Sequence, residues 1–165
     1  MKKYIIAISF LSISIFCKAQ YWTPQPGIRE IPIPNLPDIA IASMDANGPV
    51  IYFNPTICQQ VGPLASAFFE AHEYGHHYLG HIIQKLINAN NPYVQSWLNM
   101  TSENAADEYA VRFWVSKGNK AIIQAGANMM FVINNAGDQT HPPSRVRANN
   151  IAAIYYQLTG TALFP

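Results

Sequence analysis

The sequence predicts an α+β protein: a small N-terminal β-hairpin or sheet packed on a mainly helical body. Three observations carry this. Pro24, Pro26, Pro32, Pro34 and Pro37 rule out a helix early in the chain. Two apolar, β-prone runs then flank Asn47-Gly48. From Pro63 onward apolar residues recur at helical spacing, interrupted by segments rich in Asn, Gly and Pro.

Composition bounds the rest. A chain of 165 residues suits one domain rather than two of ordinary size. Half of it is hydrophobic, enough for a real core. A net charge of +1 without basic blocks argues against nucleic acid as a partner. Lys2 and Lys3 precede an apolar run from Tyr4 to Cys17, and Lys18-Ala19-Gln20 follows. That order reads as a secretory signal peptide over residues 1–19, cleaved after Ala19, with residues 20–165 as a single exported domain. The run is short for a membrane span, so no stable span is expected after cleavage. Cleavage would leave Cys58 as the one cysteine, a buried thiol without a disulfide.

The elements follow in order. Residues 20–37 read as an extended arm with a short edge strand around Ile31 to Ile33. Ile39 to Met44 and Pro49 to Phe53 form the hairpin, closed by Asp45-Ala46-Asn47-Gly48 and ended by Asn54-Pro55. A long helix starts at Pro63 and runs to Leu86. Its buried stripe is Leu64, Phe68, Ala71, Gly75, Leu79, Ile82 and Leu86. Asn91 and Pro92 are the cap and first-turn residue of the next helix, which extends to Val115 with a potential interruption at Met100-Thr101-Ser102. A third helical stretch covers Lys120 to Ile133. Asn134 to Asp138 make a loop, and Thr140-His141-Pro142-Pro143-Ser144 opens a last helix through Leu158.

The chemistry concentrates on the first long helix, which reads His72-Glu73-Tyr74-Gly75-His76. Residues four apart on a helix project roughly 40° apart, about 6 Å along the axis, so both imidazoles can reach one ion. Glu73 beside them is placed to handle a proton, and H-E-x-x-H on a helix carries that mechanism. A closed structural zinc site takes four protein ligands, commonly cysteines, which are missing here. A catalytic site keeps three ligands and a water. The segment around Glu103 and Asp107 offers the third: the two share a helical face, so one carboxylate can bind the ion while the other hydrogen-bonds a ligating histidine. Alone, this pair would be a solvated acidic face.

These residues resemble a known family. His72-Glu73-x-Gly75-His76 with His81 five residues on, Glu103-x-x-Ala106-Asp107-x-x-Ala110, and His141-Pro142-Pro143 followed by Arg147 are similar to the HtpX and CAAX-prenyl-protease-like gluzincin peptidases. The hairpin before the helix fits them as well, and the resemblance implies a zincin-like fold built on the helix that carries His72 and His76. Lacking their membrane spans, the chain looks like a compact member of the minigluzincin kind. The resemblance implies zinc ligands His72, His76 and Glu103, with Glu73 as general base. It implies Asp107 as partner of a ligating histidine, His141 near the metal and Arg147 bracing the site. It gives Arg145 no role, and His77 and His81 read as surface or packing residues. It further implies a protein or peptide substrate, with strand Val50 to Phe53 available to pair with it. A second resemblance, through Asn54, Phe69-Glu70-Ala71-His72-Glu73-x-Gly75-His76 and Leu79, is to the ImmA/IrrE-type metallopeptidases. Two readings of another class stay open: a metal-binding module without turnover, and an incidental motif.

Overall fold

The computed structural model describes residues 27–138 and 140–165. The leader expected over residues 1–19, Cys17 with it, and the first part of the proline-rich arm lie outside the described residues.

The architecture is α+β, with a three-stranded sheet beside a helical body. Strand β1 is Arg29–Pro32, β2 is Ala40–Asp45 and β3 is Gly48–Phe53, in the order β1-β3-β2. β3 pairs in parallel with β1 and antiparallel with β2, with Ala42 opposite Ile51. The hairpin turns through Ala46-Asn47, and the positive φ it needs falls on Gly48 (100°), which has no Cβ to strain. The edge strand expected in the arm exists, one to two residues earlier than its predicted span.

One consequence overturns an expectation. β3 is the central strand, with neighbours on both sides, so Val50 to Phe53 cannot receive a substrate strand. The open edges belong to the outer strands, β1 and β2. Ile39 and Ile41 bond toward β3, so by alternation Ala40 and Ala42 direct their backbone groups outward.

Six helices follow among the described residues: α1 (Pro55–Val61), α2 (Pro63–Tyr78), α3 (His81–Ile87), α4 (Pro92–Ser116), α5 (Lys120–Ile133) and α6 (Ser144–Thr159). Sequence reading missed α1, although Asn54-Pro55-Thr56 carries its signature. The Asn54 side chain accepts from the Thr56 and Ile57 amides, and Pro55 fills the first turn. The long helix expected from Pro63 to Leu86 is two helices. Leu79 caps α2, and Gly80 adopts the left-handed conformation (φ 72°) before α3. The buried stripe therefore stops at Gly75, and Leu79 and Leu86 are exposed. Conversely, α4 runs unbroken through Met100-Thr101-Ser102. The hydroxyls of Thr101 and Ser102 bond back to carbonyls of their own helix, which leaves the ladder intact. No helix among the described residues is long and apolar enough to cross a membrane.

α2 is the spine of the body, and two close crossings set its position. At Gly75 an added Cβ would lie 3.1 Å from the Tyr109 Cβ and 3.2 Å from the Ala106 Cα, so α4 approaches almost to backbone contact. At Gly126 of α5 an added Cβ would lie 2.3 Å from the ring of Phe68. Phe68, Tyr74, Val111, Ile122, Ile123 and Ile151 fill the space between helices and are fully buried. The Tyr74 hydroxyl donates to Glu30 of β1 (2.7 Å), and the His77 Nε2–H to the Val50 carbonyl (3.0 Å), fixing α2 to the sheet. Cys58 is a buried thiol of the core, as its sequence context suggests.

Candidate metal centre

The Gly75–Ala106 crossing brings Glu103 and Asp107 of α4 against His72 and His76 of α2. The His72 and His76 Nε2 atoms are 3.0 Å apart. The Glu103 carboxylate lies 3.4 Å from the first and 3.3 Å from the second. All three side chains are buried, and together they form a set able to hold a cation.

The chemistry of these donors fits an ion between them. Donors about 2.0–2.2 Å from a tetrahedral ion stand about 3.3–3.6 Å from one another, close to the separations found. The outer ring nitrogens are already committed. His72 Nδ1–H donates to Asp107 Oδ1 at 2.9 Å. His76 Nδ1 lies 3.1 Å from His81 Nδ1. With the outer nitrogens so engaged, both Nε2 atoms face the same point, where they can share a proton or, once it leaves, offer two lone pairs to an ion.

Electrostatics tell the same story. Burial alone would strip His72 of its proton, but the hydrogen bonds it donates to Asp107 and Glu103 outweigh it and raise the pKa to about 10. His76 goes the other way, lowered to about 4 mainly by burial. Burial would raise the Glu103 and Asp107 carboxyls, yet the histidines at Glu103 and Arg147 at Asp107 hold both below their usual range. A pocket with two buried carboxylates and a proton held between donors is one in which a cation can replace that proton.

Arg147, from α6, closes the back of the site. Its Nε and one terminal nitrogen each donate to an Asp107 oxygen at 2.8 Å, and the other terminal nitrogen reaches Glu103 at 3.1 Å. Arg145 on the same helix is exposed and touches none of these groups. In front, a cavity of ≈ 480 Å³ opens over the donors, lined by β2 and its lead-in, Phe69 of α2, Ile82 and Lys85 of α3, Met130 and Ile133 of α5, and His141. Glu73 faces this cavity. Its Oε2 accepts the Ala42 amide of the edge strand at 2.6 Å, and burial raises its pKa to about 7. His141 stands at the mouth with Nε2 4.0 Å from Glu103, its other nitrogen 2.8 Å from the Thr140 hydroxyl.

Every residue singled out from the sequence thus converges on one place. His81, read from the sequence as a surface or packing residue, is of the packing kind and stands outside the donor set. The turn at Gly80 swings it back so that it is buried and touches His76. Its spacing after the motif was the available signal, but the contact depends on a helix break that periodicity does not reveal. Because His81 holds the outer nitrogen of His76, His81→Phe is expected to weaken metal binding about 10- to 100-fold while the chain stays folded. Competition against a chromophoric chelator measures this, and unchanged affinity would make His81 mere filling.

Comparison with known proteins gives no significant match among curated proteins or solved structures. The family model for Peptidase U49 does match, over residues 50–162. That span begins in β3 and takes in the histidines of α2, the carboxylates of α4, His141 and Arg147, so the chain belongs to the Peptidase U49 family.

Proposed function

We propose that this peptidase is a zinc-dependent metalloendopeptidase of the gluzincin type, HtpX-like in its site. The observation that carries the reading is the convergence of His72, His76 and Glu103 beneath an open cavity into which Glu73 also faces. His141 at the mouth and Arg147 behind are the further elements that the resemblance implies.

His72, His76 and Glu103 would hold the ion, and three protein donors leave a position open toward the cavity. When bound, zinc supplies Lewis acidity, lowering the pKa of a water and polarising the scissile carbonyl. The chain's own residues do the rest. Glu73, not itself a donor to the ion, takes a proton from the attacking water and delivers it to the leaving amine. The Ala42 amide fixes that carboxylate in place. His141 is placed to donate a hydrogen bond to the oxygen that gains charge. Asp107 and Arg147 keep His72 in the tautomer that the ion requires. The outward groups of Ala40 and Ala42 offer a substrate strand its backbone partners. Residues 1–19 act as a cleaved leader, residues 20–165 form one metallopeptidase domain, and the site works outside the cytoplasm.

The test is Glu73→Gln. The variant should keep its zinc and lose cleavage of an unfolded protein about 10²–10⁴-fold. Equal turnover by zinc-loaded wild type and variant would remove the catalytic reading and leave a metal-binding module.

A further inference from the structure

The charged groups lining the cavity divide into two kinds. Glu73, Glu103 and Arg147 are engaged, by the Ala42 amide, the two histidines and Asp107 respectively. Asp38 and Lys85 also line it, and neither has an ion-pair partner among the described residues. Asp38 accepts only from the adjacent Ile39 amide, at 2.7 Å. It stands just ahead of β2, the edge strand that lines the cavity. Lys85 lies on α3, one turn after Ile82, which lines the same cavity.

The surroundings explain why these two charges matter. Ile39, Ile41, Phe69, Ile82, Met130 and Ile133 supply the apolar part of the wall. An apolar wall lowers the local dielectric and lets a charge be felt further than on open surface. No carboxylate occurs between Glu73 and Glu103 in the sequence, so α3 itself brings nothing to neutralise Lys85. The negative charge sits where the chain enters the edge strand, and the positive one on the α3 wall. A peptide lying along β2 meets both.

We propose that Asp38 and Lys85 select the substrate by charge. The cavity takes an extended, mainly apolar peptide with an acidic group seated at Lys85 and a basic one at Asp38. This rests on the peptide-cleaving reading of the site but adds the substrate class. It is a binding statement and can be tested without turnover.

The probe is a set of fluorescent peptides of neutral, apolar sequence carrying one Glu, Gln or Lys at successive positions. Their Kd values are measured by anisotropy against the zinc-loaded Glu73→Gln chain. At one position Glu should bind about fivefold more tightly than Lys, the size of effect that partly exposed charges give. Raising the salt should shrink the difference. Lys85→Glu should reverse that order, and Asp38→Lys should reverse the opposite preference at a second position. Equal affinities at every position, a preference that survives Lys85→Glu, or no peptide binding at all would overturn the proposal. Wild-type protein that shows the preference yet leaves the same peptides uncut would retire the peptidase reading alone.

Discussion

Glu103→Ala is expected to yield a folded chain that no longer retains stoichiometric zinc. The two imidazoles remain, but the substitution removes the one anionic donor of the set and the charge that offsets the cation. It also removes one of the two carboxylates that Arg147 serves, so the guanidinium, still paired with Asp107, loses its second anionic partner at the ion position. A cation would then enter a pocket with two neutral donors and no anionic one. The loss of affinity should exceed the 10- to 100-fold that removing an outer partner costs. Elemental analysis of wild type and variant purified side by side, with chelator competition for the affinities, checks this. Circular dichroism establishes that the variant is folded. Zinc retained at wild-type stoichiometry would exclude Glu103 from the ligand set.

That Glu103 could be singled out at all shows which parts of this protein are legible in sequence. A donor set on helices is readable because helical geometry is rigid: four residues along α2, and four along α4, fix which side chains share a face. The crossing that joins the two faces is also written locally, in Gly75 and Ala106, whose lack of bulk lets the backbones meet. The hairpin and the start of α4 were readable for the same reason, since Asn47-Gly48 and Asn91-Pro92 act over a few residues.

What was not readable depends on tertiary choice. Strand order decides whether β2 or β3 has the open edge, and a strand's own sequence does not state its neighbours. α1 is short, and its cap was mistaken for a mere strand stop. The break at Gly80 lies inside a stretch whose apolar spacing continues across it, so periodicity alone joined α2 to α3 and missed the placement of His81. Glu73 illustrates the division. Its place on the helix follows from the motif, while the Ala42 amide that holds its carboxylate comes from a strand 31 residues away.

Arg147→Met should be the most destabilising change in the metal-free protein. Asp107 is fully buried, and both of its oxygens accept from Arg147 at 2.8 Å. The same guanidinium serves Glu103. Methionine fills much of the volume but leaves two buried carboxylates with only the histidines as partners. Breaking such a network from one side costs about 3–5 kcal/mol, which in a chain of this size lowers Tm by roughly 10 °C. The pH dependence has a definite sign. Asp107 is held below its usual value in the folded state, mainly by Arg147 against the effect of burial. Its contribution is therefore present above the ordinary carboxylate range and is lost as pH falls through the depressed value. Without Arg147 that value rises, so acid unfolding of the variant should begin at higher pH than in wild type. Zinc should narrow the gap, because a cation beside Glu103 replaces part of the lost positive charge. Urea titrations of metal-free and zinc-loaded protein at neutral and acidic pH measure all three effects. A loss below about 1 kcal/mol in the metal-free protein, the range of an exposed ion pair, would mean that the guanidinium merely covers the site and does not hold it together.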